Sequence, residues 1–591
     1  MQTTDQDLPS RLQARVRASP ERVAYRYQTD ESQWHDVSWH EVGKRIRALS
    51  AHLARLGVTR GDCVAIMLPT APEWEYCQFA ALAVGGVVVG LDAHDTDANL
   101  GHILALTRPK LLIVDTLAQL ERISSAWQSP ALALVRQTAG NHPIGQPLAE
   151  AFASSDTGMV FEPPDPDQLA TIIFTSGSTG QPKGIGYTHK QISLACDTIR
   201  DAFPSVAQEA RLVCWLPLSN LFQRMINLCG LTIGATTSFV SRPDRIIQSL
   251  PDIAPTFFIA VPRFFEKLHE GICERINKQP APVRLLVKVA WATGNLAAQS
   301  VRTGHSPPLW TRLLRPIVDL ALEPVRRVMG SRLEFMISGS APLPPWLMAR
   351  FHGLGWLVLE AYGISENVLP IALNRPVNFR FGSVGLPLPG NELRIANDKE
   401  LLVRGPGVFS GYLGSEEGST DALDADGWLH TGDYARLDDA GYLWLEGRKS
   451  EIFKTSTGRR IAPAPIEAAL KQIDYVENAM IVGRERPYPA AILTIQTELL
   501  DLTAGTAPTR IAADVSAACR ALPDSQQPGA IIVSNRPFTI DSGELTANLK
   551  IRRKVVETRF VDDIDQAYAT ASTMHAHARN ATPISVTISS T

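Results

Sequence analysis

No apolar run in this sequence reaches the roughly 20 residues that a membrane-spanning helix needs. The longest, residues 79–91 (FAALAVGGVVVGL), contains three glycines and reads as a buried element. The N-terminus, MQTTDQDLPSRLQARVR, lacks the apolar core of a signal peptide, so no export is expected. Charge of one sign is also missing. The formal net charge is −3 and no dense Lys/Arg run occurs, which argues against nucleic acid as a main partner. Seven cysteines, Cys63, Cys77, Cys196, Cys214, Cys229, Cys273 and Cys519, show no paired short spacing. An odd, scattered set points to reduced thiols in a cytoplasmic protein and away from a disulfide framework or a zinc site.

What is present suits a folded enzyme. At 591 residues the chain is too long for one ordinary core, and 45% hydrophobic with 20% charged residues is the balance of a globular protein. Apolar residues recur at helical spacing over residues 39–56, and residues 61–68 (GDCVAIML) read as a buried strand. Further strand-like runs at 110–114, 170–175, 211–215, 257–261 and 333–337 are separated by helix-length segments, which predicts α/β layering. Residues 280–330 mix Leu, Val and Trp with Arg and Pro, and Trp310, Leu313, Leu314, Ile317, Val318, Ala321, Val325 and Val328 mark one helical face. That element is either a basic amphipathic segment on a membrane surface or an ordinary helix packed on the body. Charge and glycine cluster over 424–454, the expected domain boundary.

The strongest chemical signal is residues 171–190, TIIFTSGSTGQPKGIGYTHK. A β-branched strand runs into glycines and hydroxyls and then a lysine. Glycines let backbone N–H groups approach phosphate oxygens, and Thr175, Ser176, Ser178 and Thr179 add donors without bulk. The spacing from Gly177 to Lys183 equals that of a nucleotide P-loop, yet Pro182 replaces its second glycine and Gly184 stands where Ser or Thr would meet magnesium. A standard P-loop NTPase is therefore excluded. Four further segments follow: residues 338–343 (SGSAPL), 357–367 (LVLEAYGISEN), 427–433 (GWLHTGD) with 441–449 (GYLWLEGRK), and 541–553 (DSGELTANLKIRR).

In this order the motifs resemble the adenylate-forming (AMP-binding) superfamily of acyl-CoA synthetases, nonribosomal-peptide adenylation domains and luciferases. The resemblance spans most of the chain. It implies an α/β fold with a large multi-subdomain N-terminal domain (1–446) and a small α+β C-terminal lid domain (447–565); the tail, 566–591, is rich in Ala, Ser and Thr without a sustained apolar pattern and is expected to be disordered. The resemblance also implies ATP as substrate, Mg²⁺ as cofactor and coenzyme A as co-substrate. By that resemblance Thr175, Ser176, Gly177, Ser178, Thr179, Gly180 and Lys183 cradle phosphates, Gly339 and Ser340 face the nucleotide, and Tyr362 stacks on adenine. Ser365 holds the α-phosphate, Glu366 binds magnesium, and Asp433 with Arg448 takes the ribose region. Lys550 is the catalytic lysine, and Lys449 is the hinge between domains.

Leu549 before that lysine, with residues 213–224 (VCWLPLSNLFQR) and 255–267 (PTFFIAVPRFFEK), resembles long-chain fatty acid–CoA ligases. There are departures. Asn220 stands where many such enzymes have His, and Gln223 lies where Glu is usual, so positioning of acyl chain or thiol is open. Phe222, Phe257, Phe258, Phe264 and Phe265 either line an acyl tunnel or fill the core. The expected activity is conversion of a fatty acid to its acyl-adenylate and then to acyl-CoA. Transfer to an acyl carrier protein is the alternative within the fold. A catalytically impaired nucleotide-binding regulator is the alternative outside it, and a luciferase-like oxidase ranks last.

Overall fold

The computed structural model describes residues 7–29, 33–127, 132–138, 145–153, 163–176, 181–302, 306, 308, 310, 313, 316, 322–323, 325–502, 505–534, 536–539, 542–545, 551–577 and 584–589. The chain divides into two compact units. The larger comprises Met1–Arg394, Leu402–Thr431 and Leu437–Trp444, and the smaller Ile395–Leu401, Gly432–Arg436 and Leu445–Thr591.

In the larger unit, short apolar runs make parallel strands because they can be covered on both faces. Val87–Gly90, Cys63–Met67, Leu111–Val114 and Leu132–Val135 lie side by side at the centre of an eight-stranded sheet, and apart from Cys63, Met67 and Gly90 their paired residues are all Val, Ile, Leu or Ala. The apolar run that begins at Phe79 is split. Its first part ends the Pro72–Ala83 helix, and the glycines at 85 and 86 turn the chain into the Val87–Gly90 strand. The helix Trp39–Arg55, capped by Ser38, buries Trp39, Val42, Ile46, Leu49 and Leu53 on one face, as the periodicity predicts. Each such side chain contributes about 1.5–3 kcal/mol by leaving water.

Beside the parallel strands, Leu169–Ser176 and Pro182–Thr188 form an antiparallel hairpin in which Thr175 faces Lys183. Thr188 then caps the helix His189–Ala202 in a capping box with Gln191. A second sheet sets Phe257–Ala260, Phe335–Ser338 and Val358–Tyr362 in parallel, with Ser338 opposite Glu360. A third joins Arg211–Cys214, Thr236–Phe239, Val23–Gln28 and Trp34–Ser38.

The smaller unit is built on the sheet Val476–Val482, Ala490–Ile495, Ala530–Ser534 and Ser585–Ile588. Its last strand corrects the expectation of a disordered tail from residue 566. The helix Val561–His577 buries Ile564, Ala567 and Tyr568, and Ser585–Ile588 pairs in parallel with Ala530–Val533. The Ala, Ser and Thr content of the tail hides a four-residue strand, Ser-Val-Thr-Ile, too short to stand out as a pattern. Ser589 closes it by donating to Asp563 at 2.7 Å. Of the helical face read at 310–328, Leu314, Ile317, Val318 and Ala321 lie outside the described residues; Trp310 and Leu313 are exposed, Val325 is half-buried and Val328 is buried.

Candidate active site

The phosphate-loop hairpin is held from beneath by its strand. Thr171 donates to the Val88 carbonyl at 2.7 Å and accepts from Arg224 at 2.9 Å, which fixes the chain four residues before Thr175. Gly177, Ser178, Thr179 and Gly180 lie outside the described residues, as does Lys550. Ser176 is placed by its backbone pairing with Pro182.

Lys183 leaves the hairpin and sets its ammonium 4.5 Å from the centre of the Tyr412 ring. The Tyr412 hydroxyl donates to Glu366 Oε1 at 2.7 Å, and burial together with Glu366 raises its pKa. Tyr412 reaches this place because Tyr412–Leu413 adds a short strand to Pro182–Thr188, with Tyr412 opposite Ile185. The neighbouring backbone is tied down too. Tyr187 donates its hydroxyl to the Ser365 carbonyl, and Phe409 N–H donates to the Glu366 carbonyl at 2.9 Å. Lysine, phenol and carboxylate thus stand in a row at the Pro182–Thr188 strand. One Glu366 oxygen takes the phenol, and a carboxylate is the kind of oxygen donor magnesium prefers, so the residues fit that ion.

Gly339 and Ser340 follow one strand and Tyr362 ends its parallel neighbour, so all three lie at the carboxyl ends of the strands, the usual ligand position in an open α/β sheet. Among the described residues the Ser338 hydroxyl is buried without a hydrogen-bond partner. A hydroxyl stranded in this way is a ready donor for a ligand oxygen. Ser340 adopts φ 70°, a left-handed conformation that turns the chain sharply after Gly339. A Cβ on Gly339 would lie 3.0 Å from the Phe222 ring, which would have to shift to admit it. Glu360 lies under the same loop. Burial pushes its carboxyl up to about 7, against the N–H groups of Leu343 and Gly382 that favour the charged form.

In the smaller unit Asp433 is buried and pairs with Arg448 at 3.3 Å. Lys449 donates to Asp398 at 2.8 Å and to Glu400 at 2.9 Å, and its backbone N–H bonds the Gly432 carbonyl. The segment expected to carry Lys550 is anchored on both sides. Leu545 bridges to Ile551, and the buried Glu544 accepts from Arg536 at 2.7 Å, Arg559 at 2.6 Å and Ser542 at 2.8 Å. Burial works to raise the Glu544 pKa, but these donors together hold it at about 2.

Two family models match the chain: AMP-binding enzyme over residues 12–413, and AMP-binding enzyme C-terminal domain over residues 451–572. The chain belongs to the AMP-binding enzyme family. Among curated relatives of this AMP-binding enzyme, long-chain-fatty-acid–CoA ligase FadD15 of Mycobacterium bovis is 33% identical, over 93% of this chain and 95% of that one. Long-chain-fatty-acid–CoA ligase ACSBG1 of Bos taurus is 28% identical, over 90% and 81% respectively. The adenylation domain of a carboxylate reductase from Mycobacterium chelonae superposes with a TM-score of 0.79 at 21% identity, covering 96% of this chain and 92% of that one. The fold is thus the adenylate-forming one.

Sequence reading of this AMP-binding enzyme missed Tyr412, Asp398, Glu400 and Glu544. Tyr412 sits in a Gly-Tyr-Leu-Gly turn with no chemical signature of its own. The two departures also find their places. Gln223 is fully buried, its oxygen accepting from Trp215 and Leu216 N–H and its amide donating to the Val213 carbonyl and Asn227. Asn220 begins the Leu221–Ile233 helix without making a side-chain cap. Phe258, Phe264 and Phe265 are core residues: Phe258 stacks on Trp215 and tilts against Phe264, which meets Phe265 edge-on.

Proposed function

We propose that this protein activates a long-chain fatty acid as its acyl-adenylate and then transfers the acyl group to the thiol of coenzyme A. The observation that carries the reading is the row Lys183, Tyr412 and Glu366 beside the Thr175–Lys183 hairpin. The named ligase relatives support the acid class.

In the first step the fatty-acid carboxylate attacks the α-phosphorus of ATP and pyrophosphate leaves. The hairpin loop and Lys183 hold the phosphates, and Ser365 and Tyr362 hold the α-phosphate and adenine. The buried Ser338 hydroxyl, with Gly339 and Ser340, supplies donors on the nucleotide side. Asp433, already oriented by Arg448, accepts from the ribose hydroxyls. Glu366 would hold magnesium, which when bound neutralises phosphate charge. Lys550 offsets the charge that builds as the acyl oxygen reaches phosphorus. No protein nucleophile takes part. In the second step the thiol attacks the acyl carbon and AMP leaves. Lys449 is the proposed hinge for the change between steps, held at rest by Asp398 and Glu400.

A cleft of about 350 Å³ in the smaller unit is lined by Lys449, Lys454, Arg460 and Arg484 with Glu485, and its charge supports an anionic acceptor. An acyl carrier protein is the second reading, since it offers the same thiol on an anionic body. The seven free cysteines support a reducing, cytoplasmic setting.

The test is mass spectrometry of products from Mg-ATP and acids from octanoate to oleate, with and without CoA. Acyl-CoA is the expected product. Acyl-adenylate that accumulates in both conditions moves the assignment to a carrier-protein ligase. Nucleotide binding without pyrophosphate release would leave only a regulatory role. Within the leading reading, Lys550→Ala abolishes adenylate formation but spares thioester formation from supplied acyl-adenylate; equal loss of both contradicts the division of labour.

A further inference from the structure

The helix Ala281–Arg302 has two apolar faces, and only one of them is covered. Val287, Ala290 and Gly294 point inward, with Val287 and Ala290 at 1% and 0% exposure. A Cβ on Gly294 would lie 2.1 Å from the Gly353 Cα, so this face is locked backbone-to-backbone onto the helix Pro345–Leu354. About half a turn away, at spacings of four, three and four residues, stand Leu285, Val289, Ala292 and Leu296. All four are exposed, Leu285 to 64%. Because the opposite face is pinned, the helix cannot roll to bury them.

The charges on this helix have one sign. Arg284 and Lys288 are exposed along one flank of the outward stripe, Lys278 is exposed just before the helix, and the helix contains no Asp or Glu. Trp310 and Leu313, further along the chain, are exposed as well, at 48% and 76%. On this helix the apolar stripe is flanked by Arg284 and Lys288 and by no acid, a pairing suited to an anionic surface. A second copy fits poorly, since a two-fold contact would set Arg284 and Lys288 against their own counterparts.

We propose that the outward face of the Ala281–Arg302 helix docks on an anionic lipid bilayer, with Leu285, Val289 and Leu296 entering the interface and Arg284 and Lys288 meeting the headgroups. The arrangement is that of an interfacial amphipathic helix, in which apolar insertion and attraction to anionic lipid act together. On the activity proposed above, this would bring the enzyme to the phase in which long-chain acids dissolve. The docking itself does not depend on that activity and is read without nucleotide or acid.

The experiment is flotation of the full-length protein with equimolar phosphatidylcholine/phosphatidylglycerol vesicles and with phosphatidylcholine alone. The expected result is binding to the anionic vesicles that salt weakens. The pair Arg284→Glu and Lys288→Glu should lower partitioning at least about tenfold, and Leu285→Gln with Val289→Gln should do so by a similar factor. Circular dichroism melts unchanged from wild type verify folding, and because both pairs are surface changes they are expected to pass. No binding by the wild type, or binding that neither pair alters, overturns the proposal. So does a change in solution mass on Leu285→Gln with flotation unchanged, which would assign the face to a second copy.

Discussion

Two polar clusters in the larger unit invite comparison, because they use the same residue types to opposite ends. Under the phosphate hairpin, Glu75 accepts from Gln78 at 3.0 Å and from Asn227 at 2.7 Å, and Arg224 donates to Gln78 at 2.8 Å and to Thr171 at 2.9 Å. Arg224 also lies over the Trp74 ring at 5.0 Å. Both charged groups are fully buried. Burial raises the Glu75 pKa against its donors, and lowers that of Arg224 to about 10 while Glu75 opposes the shift. Beside the hairpin, by contrast, Lys183, Tyr412 and Glu366 are half-buried and joined by one hydrogen bond and one cation–π contact. The first cluster spends its hydrogen-bonding capacity on the protein. The second keeps capacity for something else. A satisfied buried network fixes the position of a strand, whereas an open one at its end can bind and release a ligand.

Substitutions can break this contrast. Glu366→Gln should lower fatty-acid-dependent ATP–pyrophosphate exchange about a thousandfold, on the order of 4 kcal/mol, with little change in melting temperature. Arg224→Met should do the reverse. It leaves Glu75 buried and short of its cation, at a cost of about 3 kcal/mol read by urea denaturation, while exchange per folded molecule stays near wild type. Exchange falling as steeply as with Glu366→Gln would mean that the lower cluster takes part in binding.

A third prediction sharpens the comparison through pH. His269 is buried against Arg350, which donates to it at 3.0 Å between Trp291 and Trp346. Burial, and then Arg350, lower its pKa to about 4. The folded value lies below the unfolded 6.5, so its stabilising contribution is complete above about pH 6.5 and is lost as pH falls towards 4. On the order of 2 kcal/mol should disappear across that window, and His269→Gln should flatten the slope in denaturation series from pH 7 to pH 4. The smallest effect is expected at Tyr412→Phe. Loss of one hydrogen bond to a carboxylate should weaken Mg-ATP binding by about tenfold, seen in KM more than in kcat.

The contrast also explains what could be read from the chain alone. The hairpin was legible because a β-branched strand, a glycine–hydroxyl run and a lysine are contiguous. The buried network was not, because Glu75, Thr171 and Arg224 meet only through folding; Gln223 accordingly read as a departure near the acyl chain, whereas from its helix it bonds the backbone of Val213 in the preceding strand and of Trp215 just after it. Tyr412 was invisible for the same reason. Within residues 280–330 the helical face is read at 310–328 and not on the Ala281–Arg302 helix, because there Leu285 and Val289 are interleaved with the inward Val287 and Ala290 and the two apolar faces are not separable by period. In the tail, composition masked a strand whose pairing partner lies some fifty residues earlier, at Ala530–Val533.

The measurement that bears most directly on the account is ATP–pyrophosphate exchange by the wild-type protein across octanoate to oleate, run beside Glu366→Gln and Arg224→Met. The account predicts exchange that requires a fatty acid, vanishes with Glu366→Gln and survives Arg224→Met. Absence of acid-dependent exchange in the wild type across the whole panel would contradict it.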